Sequence, residues 1–319
     1  MSSSPNARQP AIPNVWPGHH IVPERLALSQ AASSGDVEGV QRLLLDLPLS
    51  FELPQPRATY LSNARLAAAR RDLQDASRSG DVERVRMILE RWRTEPSIRD
   101  PTPEDLSLPM IEAARGGHVS VVSKLLDEGA LVDHTVPTVA LKTGNEAVSM
   151  LAVKNEGLMR FLLDQGADPN LTSSRGMKTL ECAASSGTVS VVSLLLERGA
   201  RLEECNSLHH AVCTRNTDDS CFEMMEFLLQ KGVDINERSW ITKQKVRCRT
   251  TADTALMSAV KKHEKKTMEL DLVERAKWLL NHGADPDIAD DAGKKPIDYA
   301  VDQRLIDVLN SLQSGSNFD

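Results

Sequence analysis

Aromatic side chains make up only 3% of this chain, and that scarcity is the first constraint on its fold. β-Sandwiches draw on aromatic and β-branched residues. Here the 40% hydrophobic share is mostly Leu, Val, Ala, Ile and Met, which suits thin helical layers. No run of 18 apolar residues exists, so no segment reads as a membrane-spanning helix. The opening MSSSPNARQPAIPNVWPGHH lacks the apolar core of a secretory signal. Cysteine is sparse and odd in number: Cys182, Cys205, Cys213, Cys221 and Cys248 all fall in the second half. With no signal ahead of them they read as reduced thiols, which places the chain in the cytoplasm, with the nucleus as the alternative. A basic excess is also missing. The 38 Lys and Arg are scattered among 45 Asp and Glu, for a net charge of -7, which argues against direct nucleic-acid binding. Gly-x-Ser-x-Gly, the phosphate-cradling Gly-x4-Gly-Lys-Ser/Thr and His-Glu-x2-His are all absent, so neither catalytic residues nor a cofactor are assigned.

What the chain does have is self-similarity. Four segments align: VVSKLLDEGALVD (121–133), LMRFLLDQGADPN (158–170), VVSLLLERGARLE (191–203) and MMEFLLQKGVDIN (224–236). A fifth, AKWLLNHGADPD (276–287), follows an insertion. Their glycines, Gly129, Gly166, Gly199, Gly232 and Gly283, are separated by 37, 33, 33 and 51 residues. Upstream of each lies a second block, such as SLPMIEAARGGH (107–118) and GMKTLECAASSG (176–187). The earliest copies are LALSQAASSGDVEGVQRLLLD (26–46) and DLQDASRSGDVERVRMILE (72–90). Anchoring alanines at Ala31, Ala76, Ala113, Ala152, Ala183, Ala211, Ala259 and Ala300 count about eight units, with the copy at Ala152 degenerate.

Each unit reads as two short antiparallel helices. Val191, Val192, Leu194 and Leu195 place apolar groups on one face, and Gly199 ends that helix in a left-handed cap. Ala183 and Ala184 are small enough for neighbouring helices to approach closely. One pair cannot bury its own stripe, so stability comes from stacking.

The pattern resembles the ankyrin repeat, with its G-x-T-P-L-H-x-A-A-x-x-G-H block and its L-L-x-x-G-A-D-P-N tail. Ala167-Asp168-Pro169-Asn170 and Ala284-Asp285-Pro286-Asp287 match the tail, His209 takes the histidine position, and Pro109 and Pro296 take the proline. The resemblance covers roughly residues 25–312. It implies an all-α, ankyrin-repeat α-solenoid of about eight helix-turn-helix units with β-hairpin-like finger loops. It also implies a non-enzymatic scaffold or adaptor that acts as a monomer and holds an unidentified protein partner along its concave groove. The alternative is an ankyrin-type coregulator of transcription acting through a DNA-bound factor.

Four domains are expected. Residues 1–24, with Pro5, Pro10, Pro13, Pro17 and Pro23, form a disordered tail in which Trp16 is either a docking motif or a solvated residue. Residues 25–105 hold divergent units with Pro-rich loops at 47–66 and 93–105, a helix starting near Ser62 or Asn63. Residues 106–312 form the main array, and 313–319 a short disordered tail. Insertions at 237–252 and 261–272 lengthen loops, where solenoids commonly place binding residues.

Carried over by position, the fingers present Arg175, Met177, Lys178, Glu203, Glu204, Trp240, Asp290 and Asp291. The first-helix face presents Glu112, Arg115, Cys182, Ser185 and His210. Trp240, beside Lys243, Lys245, Arg247 and Arg249, is the chosen anchor, because an exposed Trp dominates many interfaces. The competing reading packs Trp240 back on its own finger, and the basic run also reads as an import or phosphate patch. Cys205, His209, His210, Cys213 and Cys221 have roughly zinc-like spacing. The repeat frame opposes a metal: it makes His209 a loop-tying residue and Cys213 a small packed hydrophobe.

Overall fold

The computed structural model describes residues 23–48, 51–133, 147–173, 176–214, 220–239, 253–264 and 272–311. Within these residues the chain divides into two compact units, residues 1–73 with 87–101 and residues 74–86 with 102–319.

Unit 1 holds helices α1 (Pro23–Ser34) and α2 (Val37–Asp46), with parts of α3 (Arg57–Ser79) and α4 (Val82–Thr94). Asp36 starts α2 by accepting the Gly39 N–H at 2.8 Å. The core gathers Leu28, Ala32, Val40, Tyr60 and Ala64, with Leu43, Leu44, Leu47 and Leu53 packed against it. No glycine closes α2, and Leu47 follows it in an extended conformation. The Arg57 guanidinium instead donates to the carbonyls of Leu44, Leu47 and Pro48, the last two at 3.1 and 2.6 Å. That supplies the partners the helix end lacks. Residues 57–66, expected as loop, are the start of α3, which begins directly after Pro56. Proline cannot continue a helix but readily precedes one, so the Pro-rich stretch ends earlier than its composition implies. Ser62 lies inside the helix and donates to the Thr59 carbonyl. Likewise Pro23 and Glu24 belong to α1, and the rest of the N-terminal tail lies outside the described residues.

Unit 2 contains the remainder of α3 and α4, then α5 (Pro103–Gly116), α6 (Val119–Asp127), α7 (Val148–Leu151) with a 3-10 turn Ala152–Lys154, and α8 (Glu156–Asp164). There follow α9 (Thr179–Ser186), α10 (Val189–Glu197), α11 (Ser207–Val212), α12 (Ser220–Gln230), α13 (Ala255–Glu264) and α14 (Leu272–Asn281). A 3-10 turn Pro296–Tyr299 and α15 (Gln303–Ser311) end it. First members contact in succession, α5 to α7 to α9 to α11 to α13, and second members α6, α8, α10 and α12 do the same. The layers are sealed by Ala113, Ala183, Ala211 and Ala259 and by Leu125, Leu162, Leu195, Leu228 and Leu279, each fully buried.

Two expectations are corrected. The expected eight or so units reduce to about seven α-helical pairs among the described residues, because the last pair has a 3-10 turn, Pro296–Tyr299, in place of a first helix. The β-hairpin-like fingers are not formed: the described residues contain no strand, and Thr172 with Lys178 makes an isolated bridge. The reason lies in the loop side chains. Asp168, Asp234 and Asp285 each accept the N–H two residues on, at 2.8–2.9 Å. Such Asx turns fold the loop on itself and occupy donors that a strand ladder needs.

Candidate protein-binding surface

The five repeat-ending glycines all have φ between +87° and +94°. This left-handed conformation lets the chain leave the helix at once, and a side chain there would be strained. Each loop then leaves its helix in the same register, and in three of the five Gly-initiated segments the fifth residue reaches the next loop. Asn170 donates through Nδ2 to the Gly199 carbonyl at 3.0 Å and accepts the Arg201 N–H at 2.9 Å. Asn236 repeats both bonds, to the Gly283 carbonyl at 3.3 Å and from the Asp285 N–H at 2.8 Å. Asp133 accepts the Asp168 N–H at 3.1 Å; a carboxylate has no donor for the second bond. Burial pushes the Asp133 carboxyl up, against that hydrogen bond. Glu203 holds the same position and makes neither bond to Gly232 nor to Asp234. Asp287 instead pairs with Lys295 at 2.8 Å.

Histidines tie the first-helix side. His209 Nε2 lies 2.7 Å from the Asp253 carbonyl, and burial lowers its pKa, only partly offset by that bond. His118 Nε2 lies 3.1 Å from the Arg78 carbonyl. Neither His209 nor the neighbouring cysteines are arranged for a metal: among the described residues no group of three His, Cys, Asp or Glu is placed to hold one. Cys205 is buried, with Sγ directed at the Arg201 carbonyl, and burial raises its thiol to about 12.

The remaining sequence-derived positions fall in different settings. Met177 stands on its loop, 36% exposed; Leu131, which the sequence did not single out, is 55% exposed. Lys178 pairs with Glu204 at 2.8 Å, and Arg201 shares that carboxylate at 3.0 Å. Their hydrogen bonds hold Glu204 below its ordinary pKa. Glu112 is buried beside Arg78 at 3.0 Å and Arg115 at 3.5 Å, and Arg115 itself stays half-exposed. Burial works to raise the Glu112 pKa, but the arginines outweigh it and the net shift is downward. Ser185 and His210 are partly buried, and the Ser185 carbonyl accepts the Thr214 hydroxyl. Asp291 is exposed and pairs with Arg238 at 2.6 Å. Its neighbour Asp290 is not a surface finger acid: its side chain is 0% exposed. It accepts from Tyr299 at 2.7 Å, from Lys261 at 2.9 Å and from two backbone N–H groups. The tyrosine bond, then the lysine, hold it far below the usual carboxylate range. Arg175, Trp240, Lys243, Lys245, Arg247 and Arg249 lie outside the described residues.

A family model for ankyrin repeats in three copies matches residues 149–239, and a single-repeat model matches 253–291. The chain therefore contains ankyrin repeats. Its matched repeats are those joined by Asn170 and Asn236. Among curated proteins it is similar to α-latrotoxin-Lg1a of Latrodectus geometricus, 25% identical over 65% of this chain and 14% of the toxin. It is also similar to the transient receptor potential channel pyrexia of Drosophila melanogaster, 36% identical over 31% of this chain and 11% of the channel. The E3 ubiquitin-protein ligase KEG of Arabidopsis thaliana is 27% identical over 82% of this chain and 15% of the ligase. The ankyrin chain thus spans a small part of each relative. Among solved structures, the ankyrin repeat domain of Bcl-3, a member of the IkappaB protein family, is 24% identical with a TM-score of 0.49, over 75% of this chain and 97% of that one. The human ASB11 ankyrin repeat domain is 23% identical with a TM-score of 0.48, over 66% and 84%. Among the described residues no helix is long and apolar enough to cross a membrane.

Proposed function

We propose that the ankyrin repeats of unit 2 hold a partner protein on the face made by their loops and first helices, and that the chain acts as a scaffold rather than an enzyme. The observation that supports this is the bonding through Asn170 and Asn236: each ties its own loop to the following one before any partner arrives. A pre-ordered surface loses less freedom on binding. It presents Leu131 and Met177 as exposed apolar tips, with Lys178 next to Met177 on its loop and Arg115, Ser185 and His210 on the first-helix side. Arg175, Trp240, Lys243, Lys245 and Arg247 complete the surface by sequence position.

Crosslinking capture with the full chain, set beside Leu131→Glu and Met177→Glu variants, tests this reading. Proteins bound by the parent and lost from both variants, with unchanged helicity, support it; equal capture by all three chains defeats it. A second version makes the partner a DNA-bound factor and the chain a coregulator of transcription. Its support is the run of cations Lys243, Lys245, Arg247 and Arg249. A tagged chain concentrated in nuclei and crosslinked to chromatin is the expected result for that version; a uniform cytoplasmic signal counts against it.

A further inference from the structure

The α1–α2 pair of unit 1 leaves a cleft of about 440 Å³ where the start of α1 meets the end of α2. Its origin lies in the α2 sequence. Leu43, Asp46 and Leu47 are spaced three and four residues apart, so they share one helix face. Pro48 and Phe51, in the chain leaving α2, extend that face, and Glu24 from the first turn of α1 completes the lining. Leu43, Leu47 and Phe51 are each only partly buried, and no other described residue lines the cleft.

The carboxylates supply a second observation. Glu24 and Asp46 are exposed, and among the described residues neither carboxylate is engaged by a hydrogen bond or an ion pair. No described cation lines the cleft. The two guanidinium groups that reach its lining residues are committed elsewhere. Arg25 donates through Nη2 to the Glu52 carbonyl at 2.6 Å and lies 5.7 Å from the centre of the Phe51 ring, and Arg57 donates to the carbonyls that follow α2. An apolar surface flanked by unpaired acids fits an occupant that has apolar side chains, a cation and no acid.

Residues 1–22 have that composition and lead directly into α1. They include Ile12, Val15, Trp16, Ile21 and Val22, with Arg8 as the cation, and they contain no Asp or Glu. Trp16 lies seven residues before Pro23, which opens α1, and seven extended residues span at most about 25 Å. Glu24, the next residue, already lines the cleft, so the segment is attached beside it. Attachment lowers the affinity required. A short linker gives an effective concentration on the order of millimolar, so a contact with a Kd of about 0.1 mM is closed roughly nine tenths of the time. Pro10, Pro13 and Pro17 reduce the conformational freedom that docking removes.

We propose that residues 1–22 dock in this cleft, with the Trp16 indole against Leu43, Leu47 and Phe51 and the Arg8 guanidinium toward Glu24 and Asp46. The contact belongs to unit 1 alone and does not depend on the loop face of unit 2.

The test uses the full chain, with p-benzoylphenylalanine at position 16 as a photocrosslinker and mass spectrometry to map the product. The expected product joins position 16 to residues 43–51 of the same molecule. Its yield is expected to fall about tenfold in the Glu24→Lys, Asp46→Lys chain. It is expected to be unchanged in Gln41→Lys, an exposed α2 position outside the cleft. Circular dichroism checks that both variants keep their helicity. A second readout needs no crosslinker: the Trp16 indole N–H signal in NMR, assigned by its loss in Trp16→Phe. It should differ from the signal of a free peptide of residues 1–22 and return to it in the Glu24→Lys, Asp46→Lys chain. In a mixture of isotope-labelled and unlabelled chains, a product that joins the two assigns the cleft to a second copy and overturns the proposal. So do crosslinks that miss residues 43–51, an equal loss of yield in both variants, or an indole signal identical to that of the free peptide.

Discussion

Unit 1 and unit 2 use the same two-helix element and finish their helices differently. In unit 2 most second helices end in a glycine at φ near +90°, and the chain turns within a few residues. In unit 1, α2 is followed by Leu47 in an extended conformation, and Arg57 from the next helix reaches back to the carbonyls of Leu44, Leu47 and Pro48. Unit 2 also uses the second device among its described residues. The buried Arg275 of α14 donates to the carbonyls of Val212 and Thr214 at the end of α11, at 2.7 and 2.9 Å. A glycine cap is local and keeps the loop short, so identical loops repeat in register. An arginine cap is remote, tolerates an irregular exit, and makes the helix end depend on a second element.

The stacked layers should show the largest response. Leu195 is fully buried, and Leu195→Ala is expected to lower stability by about 2–5 kcal/mol in denaturant unfolding. Leu45, 85% exposed on α2, should change it by less than about 0.5 kcal/mol when made Ala. The arginine cap comes next. Arg275→Met leaves two buried carbonyls without their donor, at about 1–3 kcal/mol, and hydrogen exchange should rise first in α11. A uniform rise along the array would mean that Arg275 acts through packing alone.

Acid should then single out the end of unit 2. The Asp290 pKa is depressed in the folded state, so its contribution is complete above the ordinary aspartate range and is lost as pH falls through the folded value. His209 adds to the same limb: with its folded pKa lowered, its contribution is full above the ordinary imidazole range and declines as acid protonates the unfolded chain. Tyr299→Phe removes the strongest bond to Asp290. It should reduce stability at neutral pH and flatten the acid limb of a melting-temperature profile; a parallel displacement of the whole profile would refute this account.

Much of this was legible in the chain itself. Gly199 and its counterparts mark the helix ends because few other residues adopt that backbone, and Ala183 marks close helix contact because a larger side chain does not fit. What was not legible involves partners distant in sequence. Arg57 and Arg275 give no local sign that they cap α2 and α11, and Asp290 looks like a loop acid until Lys261 and Tyr299 are brought around it. The hairpin-like fingers came from the resemblance, and the aspartates that replace them with Asx turns stood in plain view at 168, 234 and 285. Where Trp240 sits stays a sequence-level proposal, since it lies outside the described residues.

The smallest effect is the sharpest test of how the loops are joined. Asn at the fifth loop position both donates and accepts, Asp only accepts, and Glu at 203 carries its carboxylate one methylene further and makes neither bond. Asn170→Ala should therefore lower stability by about 1 kcal/mol and expose the Arg201 amide to exchange. The reverse change is more telling. Glu203→Asn supplies at that position the donor and acceptor that Asn170 uses, and Gly232 in the following loop has the same φ, +91°, as Gly199. A gain of about 0.5–1 kcal/mol in denaturant unfolding, with slower exchange at the Asp234 amide, is the expected result. If that amide exchanges no more slowly, residue identity at this position does not govern the coupling between loops, and the helices alone set the register.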